Sequence, residues 1–391
     1  MNIILCDDPV IRRRLLPLTY LRPIGLITCG IFSLTEKWKK LGIENLSYST
    51  EPYLSVKFPI ILKQDNFFVN GCVVPDRNIL SALESLGRDE CLVSNGHWIA
   101  FRGDQWTSDG WKKLKPRQIE KPLMIDSLTS IFSLNGALIR RDFKSLDLSQ
   151  SNPIQDPFTK IYQPENVFVG RGAKIEAAVL NASTGPIYLG ENSWIQEGSV
   201  VRGPFALGQD AVLNMGTKVR GDTTIGMGSK AGGEISNSIL FEYSNKAHDG
   251  YLGNAVVGSW CNLGAGTTAS NLKNNFQEAR LWDYEQEKFV STGSPFCGLI
   301  MGDHCRTAVQ TTLNSATSVG IASNIVGPGF PRTFIPPFSF GGSAGFRTHG
   351  LDDFFTSANA MMDRKAIGLT DMDKKIFQAV FDHTAEFRHW K

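Results

Sequence analysis

Residues able to do chemistry cluster in two stretches. The first is Tyr243-Ser244-Asn245-Lys246-Ala247-His248-Asp249-Gly250-Tyr251-Leu252-Gly253; the second is Asn262-Leu263-Gly264-Ala265-Gly266-Thr267-Thr268-Ala269-Ser270-Asn271. A histidine titrates near neutrality and can take a proton from an incoming nucleophile. The amides of Gly264-Ala265-Gly266 offer N–H donors to an oxyanion developing at an attacked carbonyl. Arg220, upstream, carries a planar fork that grips phosphate through two parallel hydrogen bonds. Acyl transfer to an amine needs no more than these groups, neither an acyl-enzyme nor a metal. A lone histidine in a repeat protein is more often structural, and Arg220 could equally be a solvated corner residue. His304, beside Cys305, reads as structural, and Trp282 in the hairpin-like loop Arg280–Thr292 reads as a loop anchor.

Both stretches adjoin lapses in a six-residue repeat. Aliphatic or small residues recur at Leu189, Ile195, Val201, Leu207, Leu213, Val219, Ile225 and Ala231, often followed by glycine, with Val169 and Ile175 opening the series. A two-residue slip falls near Ala182-Ser183-Thr184-Gly185. The register returns at Tyr251, Val257 and Leu263, and again at Met301, Thr307, Leu313, Val319 and Ile325. Six is neither a helical period nor a plain strand period. It fits short strands joined by tight corners, three to a coil, with one apolar residue per side pointing inward. Parallel coils then stack about 4.8 Å apart. The repeat lapses between about 237 and 250 and again from 272 to 298.

The flanks read differently. Up to about residue 120, short apolar runs (Ile3–Leu5, Phe58–Leu62, Phe67–Val69, Cys91–Val93, Trp98–Phe101) alternate with helical stretches at Gly30–Leu41 and Arg77–Leu86, an α/β pattern. Residues 127–143 read as a connecting helix with a serine or threonine cap. Polar Ser149–Pro157 forms the boundary to the solenoid. Two further helices close the chain, one from Gly350-Leu351 to Asp363, one capped by Thr370 with Asp373. The expected division is 1–150, 158–345 and 346–391.

The strings Ser244…Lys246-Ala247-His248…Tyr251-Leu252-Gly253 and Asn262-Leu263-Gly264-Ala265-Gly266-Thr267…Asn271 resemble the acetyltransferase half of the bifunctional N-acetylglucosamine-1-phosphate uridylyltransferase/glucosamine-1-phosphate N-acetyltransferase family. Over its whole length the chain is similar to shortened bacterial variants of that family. The likeness is close over about 160–345 and weak over the first 150 residues. It implies a left-handed parallel β-helix carrying an acetyl-CoA-dependent N-acetyltransferase site for an amino-sugar phosphate, in sugar-nucleotide biosynthesis. Within the resemblance His248 stands at the catalytic base and Asn271 positions the reacting amine. Arg220, Tyr251 and Asn262 hold the sugar phosphate, and the Ala265 backbone meets acetyl-CoA. A family lysine falls on Ser236 here, and a serine near the thiolate falls near Val309. The resemblance also implies a homotrimer with acetyl-CoA sites between subunits.

Arg14-Leu15-Leu16-Pro17-Leu18-Thr19 with Arg22-Pro23 resembles the tail of the sugar nucleotidyltransferase signature. The signature's glycines are replaced by Cys6-Asp7-Asp8-Pro9 and its lysine by Ile24. A phosphate cradle needs bare backbone amides, and Asp7-Asp8 repel a triphosphate unless Mg2+ intervenes; Asp76 is the nearby carboxylate for such an ion. The expectation is an N-terminal nucleotidyltransferase-like α/β domain, an all-β helix and C-terminal helices. Two alternatives stand beside acetyl transfer: uridylyl or thymidylyl transfer from UTP or dTTP, and sugar-nucleotide binding without catalysis.

Composition sets the outer bounds. Among 391 residues, 40 Lys+Arg against 38 Asp+Glu leave a net charge of +2, which gives no reason to expect nucleic acid or an anionic membrane as partner. The apolar start stops at Asp7-Asp8, short of a signal peptide, and no run approaches the ~20 residues of a membrane span. Seven scattered cysteines without a Cys-x-x-Cys pair fit free buried thiols in a reducing cytoplasm. Thirty-eight glycines concentrate in the second half, where the corners are.

Overall fold

The computed structural model describes residues 1–390. Hexad residues from Leu189 to Ala231 are all buried, each at most 3% exposed. They stack because short strands repeat on three sides of a coil, giving sheets of eight, nine and ten strands that are parallel except for the antiparallel hairpin Ser339–Gly342 with Gly345–Thr348 at the end of the last. On one side Leu189, Leu207, Ile225, Leu240, Val257, Met301 and Val319 align in register, one per coil, into an apolar column. Each such side chain contributes about 1.5–3 kcal/mol on burial. The columns of the three sides merge into one core running the length of the prism.

Two expectations about the repeat change. The coils do not lapse at 237–250: strands Glu234–Ser236, Ile239–Leu240 and Asn245–Lys246 continue the prism with shorter corners. Because the corner after Leu252 is one residue short, Leu252 points inward, in register with Ile235, and Tyr251 faces out. The stretch 272–298 is a true excursion, and it holds the antiparallel hairpin Arg280–Asp283 with Lys288–Ser291. Trp282 anchors it, its ring stacked on Phe334 at 4.0 Å.

The N-terminal domain is a six-stranded mixed sheet in the order Leu46–Ser49, Ile3–Cys6, Asn66–Asn70, His97–Gly103, Glu90–Ser94, Lys115–Gln118. Phe58–Leu62 is no strand. Pro59 lacks a donor, and the segment is tied to its neighbours by side chains, with Asn2 donating to the Ile61 carbonyl at 2.9 Å. The first helical stretch forms only over Leu34–Lys40, started by a capping box of Ser33 and Glu36, and the second over Arg77–Glu84. The connecting helix Leu128–Phe143, capped by Ser127, lies against the nine-stranded face of the prism. Gly136 allows the approach: a Cβ there would sit 1.8 Å from an Asp222 carboxylate oxygen. Ile11, Leu15, Ile131 and Phe132 join Ile239, Phe241, Val256 and Ile300 in a shared core, so this face is buttressed by the N-terminal domain.

The C-terminal helices Leu351–Met362 and Asp371–His383 form where expected, the second with a Thr370/Asp373 capping box. Phe354, Ala358, Phe377 and Val380 bury against Ile321, Ala322 and Phe338. The Arg306 guanidinium donates to the Ser357 carbonyl at 2.6 Å, bringing the first helix over the ten-stranded face. The eight-stranded face stays bare. All seven cysteines are buried and free. Among the described residues no helix is long and apolar enough to cross a membrane.

Candidate functional site

The turn at 247–250 joins the capped face to the bare face, and it is braced from within. Lys246 occupies an inward slot in register with Ala231, where every other coil up to that point carries an apolar or small residue. It is 2% exposed, and its ammonium donates to the Gly232 carbonyl at 3.1 Å and to the His248 carbonyl. Burial pulls this amine down to about 8, with Asp249 opposing. Asn214 Nδ2 donates to the Ala247 carbonyl at 2.8 Å. The backbone that carries His248 is thus held on two sides while the imidazole is exposed.

His248 and Asn262 open into a pocket of about 680 Å³ between the capped face and the helix Leu351–Met362. Its solenoid wall is an in-register polar ladder, Lys230, Asn245, Asn262 and Arg306, one residue per coil. Arg364 and Lys365 close it from the helix end. Burial holds the Arg306 guanidinium below its ordinary value. Beside the pocket, Tyr243 and Trp260 stack at 4.3 Å on successive corners, and the buried His304 ring continues the column at 6.3 Å. Burial, helped by Arg306 and Arg22, drives His304 down to about 3, so it packs as a neutral ring.

The other expected residues lie around the corner. On the bare face Arg220 pairs with Glu234 at 3.1 Å, and Glu234 aligns with Tyr251 on the next strand. Asn271 hydrogen-bonds the Tyr251 phenol and donates to Asn254 Oδ1 at 2.6 Å. Burial, then the Glu234 carboxylate, pushes the Tyr251 phenol up. Gly253 makes this cluster possible, since a Cβ there would meet the Tyr251 hydroxyl at 2.2 Å. Ala265 lies in the turn between the two faces, where its carbonyl accepts from Gln310 N at 2.7 Å. The Gly264 N–H is already committed to Thr307, at 3.0 Å to the hydroxyl and 3.1 Å to the carbonyl. That leaves the amides of Ala265 and Gly266 as the N–H groups of this turn without a partner among the described residues. Within one chain the pocket gathers His248 and Asn262, while Arg220, Tyr251 and Asn271 form a separate group on the adjoining wall.

Several site residues escaped the sequence reading. Lys246 carried no slot signal, since a six-residue step back from Tyr251 lands on Asn245. Lys230 and Arg306 sit at outward slots of one face, legible only once coil lengths are known. Arg364 and Lys365 arrive from a helix more than fifty residues after Arg306, and no spacing rule reaches that far.

The N-terminal signature has become structural. Asp7 is buried and pairs with Arg12 at 2.6 Å, accepts from Thr50 Oγ1 at 2.5 Å and accepts from Ile24 N at 2.8 Å. Burial raises its carboxyl despite Arg12. Asp8 caps the helix Pro9–Arg14 and accepts from Trp98 Nε1 at 2.9 Å. Thr19 donates to the Arg12 carbonyl at 3.0 Å, and Arg14 is exposed. Arg22 crosses to the solenoid, bonding Asp303 and Ser259 at 2.9 Å each. Asp76 serves as the N-cap of the helix Arg77–Glu84.

Comparison with known proteins gives one family match and several partial likenesses. Residues 3–151 match the family model described as sugar nucleotidyl transferase. A bifunctional sugar-1-phosphate nucleotidylyltransferase/acetyltransferase of Sulfurisphaera tokodaii is 30% identical over 92 residues, 24% of this chain and 22% of that protein. The bifunctional protein GlmU of Methanococcus vannielii is 30% identical over 94 residues, again 24% of this chain and 22% of the relative. The chain thus spans under a quarter of the curated relatives it matches. Among solved structures, the polySia specific acetyltransferase NeuO is 13% identical with a TM-score of 0.29, covering 50% of this chain and 85% of that one. The UDP-N-acetylglucosamine acyltransferase of Francisella novicida is 13% identical with a TM-score of 0.24, covering 59% and 84%. Residues 3–151 thus carry the sugar nucleotidyl transferase family pattern, and about a quarter of the chain is similar to bifunctional nucleotidylyl- and acetyltransferases.

Proposed function

We propose that the protein transfers an acetyl group from acetyl-CoA to the amine of an amino-sugar phosphate such as glucosamine-1-phosphate. The observation carrying this reading is the braced turn that presents His248 at a cation-lined pocket together with Asn262. His248 takes the proton of the attacking amine, whose lone pair forms the C–N bond to the acetyl carbon. The tetrahedral oxyanion accepts from the amides of Ala265 and Gly266, and it collapses by expelling the coenzyme A thiolate. The proton held by His248 then returns to that sulfur. Arg220, Tyr251 and Asn271 serve the sugar-phosphate side, with Asn271 orienting the amine. A homotrimer that sets the bare face of one copy beside the pocket of another would unite the two groups of residues. Purified protein given glucosamine-1-phosphate and acetyl-CoA is expected to release free thiol, and His248→Ala is expected to slow release about 10²-fold or more. Absence of thiol release with every hexosamine phosphate tried rejects the reading.

A second reading, nucleotidyl transfer by residues 1–150, is favoured by the family match over 3–151. The commitment of Asp7, Asp8 and Asp76 to ion pairing and helix capping weighs against it. It predicts Mg2+-dependent pyrophosphate release from UTP or dTTP with a sugar-1-phosphate, and no release removes it.

A further inference from the structure

The pocket under the helix Leu351–Met362 holds more positive charge than proton transfer at His248 needs. Lys230 and Arg306 reach it from the prism, Arg364 and Lys365 from the turn that ends the helix, and no carboxylate lines it. Among the described residues none of these four cations pairs with a carboxylate, whereas Arg220 on the neighbouring face does. Along the ladder, Lys230 and Arg306 stand three rungs apart, about 14 Å at the spacing of adjacent strands. Arg306 spends one N–H on the Ser357 carbonyl and has no counter-ion in a half-buried place. Leaving a guanidinium so is unfavourable until an anion arrives.

One wall of the pocket is apolar. Tyr243 and Trp260 line it together with Ala360 and Met361. Both aromatic residues sit in the left-handed region, at φ 59° and 60°. The same conformation recurs at Asp210, His304 and Ala322 on other coils, so it belongs to this corner of the prism and places the two rings one above the other. A volume of about 680 Å³ lies within the usual range for organic ligands.

We propose that this pocket binds the diphosphate of a nucleotide-linked ligand inside a single chain, with the C-terminal helix converting an open prism face into the binding site. The phosphates lie between Lys230, Arg306, Arg364 and Lys365, and the organic part runs along the Tyr243–Trp260 wall. Coenzyme A and a sugar nucleotide both carry such a diphosphate. Only the first of these sources rests on the acetyl-transfer reading.

Calorimetry on the full chain tests this with three probes: coenzyme A, UDP-N-acetylglucosamine and inorganic diphosphate. Binding of at least one probe is expected, weakened about tenfold or more in Arg364→Ala/Lys365→Ala and again in Lys230→Ala. All three positions are exposed, so these variants are expected to keep the wild-type circular dichroism and unfolding midpoint. Binding of coenzyme A alone identifies the acyl donor as occupant, and binding of the sugar nucleotide alone identifies the other source. No heat from any probe at millimolar concentration overturns the proposal, as does unchanged affinity in both variants. Thiol release with unaltered binding in the variants would sink this site and leave acetyl transfer standing. Tight, variant-sensitive binding without thiol release would do the reverse.

Discussion

Arg22 is the strongest polar joint between the N-terminal domain and the prism, and its removal has a calculable cost. Asp303 is 1% exposed; one carboxylate oxygen takes Arg22 and Ser259 N, at 2.9 and 2.6 Å, and the other has no partner. Burial already raises this carboxyl, with Arg22 the main opposing influence. Arg22→Met removes the guanidinium, which also lies 5.0 Å over the Phe241 ring, and strands the carboxylate. Breaking a buried pair by deleting one partner costs about 3–5 kcal/mol, largely the uncompensated charge. Adding Asp303→Asn removes that charge and is expected to recover at least about half of the loss. The sign with pH is fixed. In Arg22→Met the folded state binds the Asp303 proton more tightly than the unfolded chain does, so the deficit shrinks as pH falls from 7 towards 5. Urea denaturation followed by tryptophan fluorescence, at both pH values, reads all three quantities. A loss under about 1 kcal/mol at pH 7, or a double variant no better than the single, would refute the assignment of Arg22–Asp303 as a buried, charge-dependent joint.

Three further outcomes are expected. Gly253→Ala drives a methyl group into the Tyr251 hydroxyl and the Asn271 amide, so KM for the sugar phosphate is expected to rise several-fold while pyrophosphate release, if present, is untouched; steady-state kinetics at saturating acetyl-CoA reads it. Lys246, with its amine near 8 in the fold and at its ordinary 10.5 in the unfolded chain, makes the unfolded state bind more protons between those values. Wild type is therefore expected to gain up to about 3 kcal/mol relative to Lys246→Met as pH climbs from 8 to 10.5, a difference measurable by paired urea titrations and absent if the ammonium is solvated. Leu213→Ala, in the middle of the apolar columns, is expected to cost about 2–5 kcal/mol by the same titration.

What the sequence disclosed follows from how locally each feature is encoded. The hexad is a contact between neighbouring coils, so Leu189 through Ala231 spelled out the prism by spacing alone. Ser127 and Thr370 announced their helices because a cap is settled within four residues. A uniform period carried across a corner one residue short puts Tyr251 inside, and the apolar run Phe58–Leu62 reads as a strand although such runs say nothing of ladder partners. At the site, His248 and Asn262 were found through their motif. The cations around them were not: Arg364 meets Lys230 only after the chain has wound through several coils and folded a helix back. Asp7 and Asp8 were legible as a departure from a phosphate loop, but their new tasks, with Arg12, Thr50 and Trp98, depend on tertiary packing.

The shortened corners carry a consequence for assembly of the chain itself. Aligned residues are 18 apart from Leu207 to Ile225 but only 15 apart from Ile225 to Leu240. A perfectly uniform spiral staircase could zip up one storey out of step at little energetic penalty, because every landing looks alike. One undersized storey abolishes that ambiguity: a displaced zipper would force a wide ring onto a narrow one and leave Lys246 facing the wrong neighbours. The irregularity that hides the pattern from a period search therefore gives the growing staircase a landmark for counting floors.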